Sequence, residues 1–154
     1  MKMLLINPPF SEKSSVGGSK SIKYVLNIIP PLGLAYLAAV LEKNNFCVKI
    51  IDCTVGLSYK DLFKKLFKEM PDVVGITATT PTFESGRFIA NKIKELIPSL
   101  TLIIGGAHVT AMPHQVMRFN CFDIGVIGEA EETFLELLTH IQENGLNGLN
   151  VIKG

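Results

Sequence analysis

Five short apolar runs rich in β-branched residues recur along the chain, and amphipathic stretches separate them. The runs are residues 3–6, 48–51, 73–76, 102–104 and 124–127. Nearly unbroken apolarity over this length indicates strands buried on both faces, as in a parallel sheet. Only the second run carries a charge in its middle, Lys49, which favours a place at the sheet edge, where one side meets water.

The stretches between the runs show the spacing of helices that pack one stripe on a sheet. Two of them place apolar residues at i, i+3, i+4 and i+7: Leu34, Leu37, Ala38 and Leu41 in one, and Phe134, Leu137, Leu138 and Ile141 in the other. Ser58 with Asp61 predicts the start of a third helix, which ends before Pro71. We expect this helix to bury Leu62, Phe63, Leu66 and Phe67.

A fourth helix is predicted from about Thr82 to Pro98, with Ile89, Ile93 and Leu96 facing inward. The connection 111–119 is shorter, and Pro113 suits the first turn of a helix there. The polar segment that follows Phe10 is typical of a ligand-covering or disordered loop.

Strict alternation of strand and helix predicts right-handed crossovers and a doubly wound α/β fold. We expect a five-stranded parallel sheet of the flavodoxin-like (Rossmann-like) type, in the strand order 2-1-3-4-5. The 154 residues, 47% hydrophobic and 19% charged, suffice for one core and therefore one domain.

Charge and cysteine content exclude several function classes. Lys and Arg number 15 against 14 Asp and Glu, without a run of one sign, so nucleic acid is not an expected partner. The apolar runs are too short and interrupted for a signal peptide or a membrane span, so we expect a cytoplasmic protein. The three cysteines, Cys47, Cys53 and Cys121, are odd in number and widely spaced, which indicates reduced structural thiols.

In an open parallel sheet the ligand crevice lies beyond the carboxyl ends of the strands, here flanked by the first and third. After the first strand comes the rigid turn Asn7-Pro8-Pro9, which either contacts a ligand or only redirects the chain. After the third come the hydroxyls of Thr77, Thr79, Thr80 and Thr82, which suit a phosphate or an amide-rich ligand. Thr82 or Thr80 is alternatively a simple helix cap.

After the fourth strand, Gly105 and Gly106 remove side chains from the sheet edge, so that a bulky group can approach the backbone. His108 follows them; a hydrogen bond to a ligand or loop is a better interpretation than catalysis, since no acidic partner is near it in sequence. After the fifth strand, Gly128 and Glu129 form the turn at the crevice, ahead of carboxylates that suit a helix N-terminus.

The motifs of several rival classes are absent from the sequence. There is no G-x-G-x-x-G or G-x-x-x-x-G-K-[ST] phosphate loop, and Asn7 and Thr77 stand where a phosphate receiver needs acids. No G-x-S-x-G elbow occurs, and the three histidines lack an evident acid-base partner. The chain by itself is not predicted to be catalytic, and we predict no catalytic residue or metal ligand in it.

An ordered series of segments resembles the N-terminal cobalamin-binding domain of cobalamin-dependent radical S-adenosylmethionine enzymes. The series is Ile6-Asn7-Pro8-Pro9, then Pro30 to Ala39 (PPLGLAYLAA), Asp72 to Thr77 (DVVGIT), Gly105 to Thr110 (GGAHVT) and Gly128 to Glu131 (GEAE). The resemblance extends from Met3 to about Ile141. It implies a corrin ring over the carboxyl edge of the sheet, with the nucleotide tail descending toward the threonine-rich turn and the paired glycines.

The resemblance also implies which residues contact the cofactor. They are Asn7, Pro8, Pro9, Pro31, Leu32, Gly33, Thr77, Thr79, Thr80, Thr82, Gly105, Gly106, His108, Gly128 and Glu129. The D-x-H-x-x-G motif of other cobalamin domains, whose histidine binds cobalt, does not occur here. The resemblance therefore implies base-off cobalamin without a histidine as lower cobalt ligand.

The catalytic half of this family carries a C-x-x-x-C-x-x-C motif for a [4Fe-4S] cluster that cleaves S-adenosylmethionine. That motif does not occur here, so we expect the chain to be part of a longer methyltransferase or related radical enzyme. Residues 1–143 would form the cobalamin domain, and residues 144–154 would link it to a C-terminal radical S-adenosylmethionine barrel. The alternatives are a cofactor-free docking or structural domain of the same family and, third, a flavin or nucleotide binder.

Overall fold

The structure, a computed structural model, describes residues 1–10 and 30–152. The predicted ligand-covering or disordered loop falls on residues 11–29, which lie outside the described residues. Within the described part, no helix is long and apolar enough to cross a membrane.

Five parallel strands form one sheet in the order β2-β1-β3-β4-β5, which confirms the predicted fold class and topology. The strands are β1 (Lys2–Asn7), β2 (Cys47–Asp52), β3 (Val73–Thr77), β4 (Thr101–Gly105) and β5 (Ile124–Gly125). β2 lies at the edge, as Lys49 predicted, and the Lys49 ammonium lies 2.7 Å from the Glu69 carboxylate. This hydrogen bond lowers the pKa of the Glu69 carboxyl.

The last strand is shorter than the apolar run 124–127 predicted. β5 contains only Ile124 and Gly125, although the Val126 amide still donates to the Ile104 carbonyl over 2.8 Å. Ile127 is 56% exposed, and Gly128 turns the chain with a φ of +75°. The strand ends early because this glycine redirects the backbone away from β4.

Helices cover both faces of the sheet. They are α1 (Leu32–Lys43), α2 (Tyr59–Glu69), α3 (Phe83–Leu96), α4 (Ala107–Ala111), α5 (Pro113–Val116) and α6 (Glu131–Asn144), followed by a 3-10 turn at Leu149–Val151. The Ser58 hydroxyl accepts from the Asp61 amide over 3.1 Å, and Pro113 opens α5, both as predicted. α4 was not predicted; it begins directly after Gly106, where the sequence indicated only a turn.

Alternate residues of β1 face opposite apolar layers, as expected for a strand buried on both sides. Met3 and Leu5 pack in a cluster with residues of α1 and α6, whereas Leu4 and Ile6 pack in a cluster with residues of α2 and α3. The predicted stripe Leu34, Leu37, Ala38 and Leu41 is buried along its whole length. Within the described residues, the sheet is thus a plate between two helical layers.

Two residues predicted to be inward are exposed. Phe67 is 44% exposed because Leu62 and Leu66 already form the buried stripe of α2, and the position after Leu66 is rotated off it. Leu96, the last residue of α3, is 54% exposed. Ile97 leaves the helix in an extended conformation and packs against the core near this point instead.

The cysteines are all free thiols; Cys47 is exposed, whereas Cys53 and Cys121 are buried. Burial raises the pKa of the Cys53 thiol to about 12, and the nearby Asp52 carboxylate adds to this effect. Burial also raises the pKa of Cys121. The described residues contain no group of three or more His, Cys, Asp or Glu side chains arranged to hold a metal ion.

We expect a thiol reagent at pH 8 to label only Cys47 in the folded protein and all three cysteines after denaturation, as measured by mass spectrometry of peptides. The buried thiols react slowly because the thiolate is the nucleophile and burial disfavours it. The neutral, buried Cys53 thiol makes its full contribution to the free energy of unfolding below the ordinary thiol pKa of 9.0. This contribution is lost as the pH rises toward about 12. Labelling of Cys53 as fast as Cys47 would contradict this packing.

Candidate functional site

A cavity of about 880 Å³ lies at the carboxyl ends of β1, β3 and β4, on the face that α1 and α6 cover. Its deeper lining is apolar and consists of Leu5, Leu34, Leu37, Gly75, Ile103, Val126 and Phe134. Its rim is polar or small and includes Asn7, Thr54, Thr77, Thr79, Thr82, Thr110, Gly128, Glu129 and Glu131. An apolar interior with a few polar groups at the mouth is the usual construction of a small-molecule site.

Ten of the residues predicted to contact a ligand line this cavity. They are Asn7, Pro31, Gly33, Thr77, Thr79, Thr82, Gly105, Gly106, Gly128 and Glu129. The elements bring them together because parallel strands deliver all their following turns to one edge. The candidate crevice of the sequence analysis is therefore a real concavity.

The paired glycines have different roles. A Cβ on Gly105 would meet only ordinary contacts, the nearest being the Val126 carbonyl oxygen at 3.6 Å. A Cβ on Gly106 would lie 2.8 Å from the Ala78 carbonyl oxygen, and Gly106 has a φ of +101°. Gly106 is thus required by the turn that packs on the segment after β3, whereas Gly105 leaves open space at the sheet edge.

The threonine-rich turn after β3 is fixed by its own hydrogen bonds. Thr82 is 4% exposed, and its hydroxyl accepts from the Thr79 amide over 2.9 Å. Thr82 is the N-cap residue of α3, as the capping alternative predicted, but its side chain makes no capping bond to the helix and bonds to Thr79 instead. The hydroxyl of Thr79 lies 3.0 Å from that of Thr82 and remains exposed at the rim.

Thr110 is a rim residue that sequence reasoning missed. Its hydroxyl donates to the Gly106 carbonyl over 3.2 Å and accepts from the Gly128 amide over 3.0 Å. It therefore ties the turn after β4 to the turn after β5. Thr110 lies four residues after Gly106, and in a helix a hydroxyl at this spacing can bond to the Gly106 carbonyl. Because helix α4 was not predicted, this spacing did not identify Thr110.

A second missed group surrounds Asp52, at the end of β2. The Oδ1 of Asp52 accepts from Asn7 Nδ2 over 3.0 Å, from the Thr54 amide over 3.0 Å and from the Thr54 hydroxyl over 2.7 Å. β1 and β2 are in register from Lys2↔Cys47 to Asn7↔Asp52, which brings the two strand ends together. The ligand residues predicted at the sheet edge follow the first, third, fourth and fifth strands, whereas Asp52 ends the second strand, for which no ligand contact was predicted.

The other predicted contacts, Pro8, Pro9, Leu32, Thr80 and His108, lie outside the cavity lining. His108 Nδ1 lies 3.2 Å from the Thr80 hydroxyl, and the His108 ring stacks on Phe83 with centroids 4.3 Å apart. His108 and Phe83 border a separate cleft beside α3 and α5. Pro8 is buried toward Gly86 of α3, and Leu32 is 61% exposed.

The charged side chains among the described lining residues are all negative. Among the described residues that line the cavity, Glu129 and Glu131 carry carboxylates, and none is Lys, Arg or His. All three histidines of the chain are in the described part. His140 bonds instead to the Asn147 carbonyl over 2.6 Å.

A family model described as B12 binding domain matches residues 21–138. An uncharacterized methyltransferase of Pyrococcus horikoshii is 38% identical over 157 residues, which cover 97% of this chain and 32% of that protein. The anaerobic magnesium-protoporphyrin IX monomethyl ester cyclase of Rubrivivax gelatinosus is 31% identical over 146 residues, covering 93% of this chain and 25% of that protein.

A solved structure shows the same architecture. It is the radical S-adenosylmethionine methyltransferase TsrM of Kitasatospora setae with cobalamin and a [4Fe-4S] cluster bound, and the match has a TM-score of 0.73 and 25% identity. The match covers 92% of this chain and 24% of TsrM. Among the curated relatives, this chain spans between 22% and 32% of their length.

Proposed function

The chain belongs to the B12 binding domain family, and from this premise we propose that it is the cobalamin-holding module of a larger radical S-adenosylmethionine enzyme. The observation that carries the proposal is the cavity of about 880 Å³ at the carboxyl edge of the sheet. Its size and its apolar interior suit the nucleotide tail of a corrinoid, and its small-residue rim leaves room for a planar ring above.

The residues that would hold the cofactor come from the end of β4, the turn after β3 and the helices α1, α4 and α6. Gly33 and Gly105 allow close approach of the backbone, because a Cβ at Gly33 contacts nothing within 4 Å and one at Gly105 meets nothing closer than 3.6 Å. Thr79 and Thr110 offer hydroxyls at the rim, and Phe134 closes the apolar interior. These hydroxyls and the open space beside the glycines fit an uncharged, amide-bearing macrocycle better than a flavin or a nucleotide, since no phosphate loop is present.

We further propose that the cofactor is held base-off, without a histidine below cobalt. His108 lies in the cleft beside α3 and bonds to Thr80, and neither His114 nor His140 lines the cavity. When bound, cobalamin supplies a cobalt centre for methyl transfer or related radical chemistry. The protein's part is to orient the ring, shield its lower face and leave its upper face open.

The partner in this proposal is a radical S-adenosylmethionine barrel of the same polypeptide, which would bind S-adenosylmethionine and a [4Fe-4S] cluster. The short span of this chain relative to its relatives supports a further domain. We retain 1–143 as the cobalamin module and 144–154 as the link to the barrel. Leu149 and Ile152 pack against the apolar cluster of α1 and α6, so the described part of that link begins along the module.

We expect the purified protein to retain hydroxocobalamin through gel filtration, as seen in its visible absorbance, with one corrinoid per chain. Cobinamide, which lacks the nucleotide tail, should bind about tenfold or more weakly because it leaves the apolar interior unfilled. After reduction to cob(II)alamin, the electron paramagnetic resonance spectrum should lack superhyperfine splitting from an axial nitrogen. Loss of all corrinoid on the column would support the cofactor-free docking alternative, and nitrogen splitting would contradict the base-off proposal.

A further inference from the structure

The polar rim presents hydrogen-bond acceptors at the ends of β1 and β2. A carboxylate can only accept, so Asp52 obliges the Asn7 amide to turn its nitrogen toward Oδ1, at 3.0 Å. The Asn7 carbonyl oxygen is then turned away from Asp52 and is available to a ligand as an acceptor, beside the second N–H of Nδ2. The single hydroxyl proton of Thr54 is likewise used on Asp52, at 2.7 Å, which leaves only lone pairs on that oxygen.

The same polarity continues on the opposite side of the cavity. Thr110 directs its hydroxyl proton to the Gly106 carbonyl and accepts from the Gly128 amide, so this oxygen offers a ligand only its remaining lone pair. Glu129 and Glu131 add carboxylates to the rim. Since the described lining contains no Lys, Arg or His, the described part of the site combines negative charge and acceptors without a cationic side chain.

On the basis of the proposed function, we infer that this rim selects the fully amidated periphery of a corrinoid, and that Asp52 is the positioning residue for this selection. A primary carboxamide brings two N–H donors to the remaining lone pairs of these acceptors. A carboxylate at the same place would face acceptors and like charge, and both would lose their hydration without compensation. Sites that require a donor reject analogues that lack it more strongly than apolar sites reject a change of size.

The test compares cobalamin with its monocarboxylic derivatives, in each of which one peripheral carboxamide is hydrolysed to a carboxylate. Dissociation constants of the separated isomers are measured by equilibrium dialysis at pH 7.5 on the whole chain. We expect at least one isomer to bind about tenfold or more weakly than cobalamin. Equal affinities for all isomers would overturn the selection, whereas failure of cobalamin itself to bind would overturn the proposed function as well.

The role of Asp52 is tested by the selectivity ratio and not by affinity alone. The ratio compares the affinity for cobalamin with the affinity for the most weakly bound monocarboxylic isomer. In Asp52→Ala this ratio should fall severalfold toward one, because Asn7 and Thr54 are free to present donors. Asp52→Asn should restore most of the ratio, since its carbonyl can still accept. A role in folding alone would weaken all ligands equally, so an unchanged ratio in Asp52→Ala would overturn the positioning role.

Two matched controls come from the chain itself. Asp72 also accepts a hydrogen bond from a backbone amide at a strand end, that of Lys2 over 2.7 Å, but at the opposite edge of the sheet, so Asp72→Ala should leave the ratio unchanged.

The effect of rim charge is tested separately: Glu131→Gln should bring the ratio closer to one by removing a negative charge from the rim. Glu132→Gln alters the next residue of α6, which is exposed and outside the lining, and should not narrow it. Equal effects of Glu131→Gln and Glu132→Gln would contradict a local charge effect.

Discussion

Gly106→Val is expected to lower the free energy of unfolding by about 3–5 kcal/mol, from the combined costs of a left-handed backbone and of overpacking. The φ of +101° disfavours any side chain, and a Cβ would lie within 3.0 Å of three atoms of Thr77 and Ala78. Urea denaturation followed by circular dichroism measures the change. A side chain is therefore accommodated at Gly105 and not at Gly106.

Gly105→Ala is the matched control for that experiment. Its Cβ would contact the Val126 carbonyl oxygen at an ordinary 3.6 Å, so the change in stability should stay within about 1 kcal/mol. If Gly106→Val proved as stable as Gly105→Ala, the packing of the turn after β4 against the turn after β3 would be in error.

Gly33→Leu is expected to weaken cobalamin binding about a hundredfold while leaving the protein folded. Gly33 lines the cavity and lies in the first turn of α1, where a Cβ contacts nothing within 4 Å. Leucine also favours the helix over glycine by about 1 kcal/mol, so the fold should not suffer. The larger side chain competes with the ligand for space at a cost of about 3 kcal/mol, which corresponds to the expected loss of affinity.

Titration by visible absorbance measures that loss, with Ala35→Leu as control. Ala35 lies two residues further along α1, is exposed and does not line the cavity, so the same added bulk should leave affinity unchanged. Equal affinities of Gly33→Leu and wild type would place the ligand away from α1, while equal losses in both variants would indicate a general effect on the helix.

The strand order could be predicted from the sequence because the residues of each apolar run indicate whether that strand is buried on both faces or lies at the sheet edge. Continuous apolar runs identify strands buried on both faces, and Lys49 identifies the edge strand by the cost of burying an ammonium. The buried apolar positions of the helices could be predicted equally well where the helices lie over the sheet. The predicted inward positions were wrong at Phe67, which is rotated off the stripe of Leu62 and Leu66, and at Leu96, the last residue of α3.

The candidate site could be predicted only as far as its chain segments. The rule that ligands bind at the carboxyl edge of the sheet identified Asn7, Thr79, Gly105 and Gly128 as neighbours. The rule does not say on which face of the sheet a side chain lies, and the short helix α4 sends Thr110 to one side and His108 to the other. Asp52 escaped because its role depends on the register of β1 against β2, which hydrophobic pattern alone does not specify.

The two apolar layers of the sheet differ in one respect that bears on motion. The layer under α2 and α3 packs without the large cavity, whereas that cavity enters the layer under α1 and α6. Transient local opening should therefore be easier on the α1 and α6 side. A ligand that fills the cavity raises the free energy of that opening by RT ln(1 + [L]/Kd), so binding stiffens one half of the domain and leaves the other half nearly as it was.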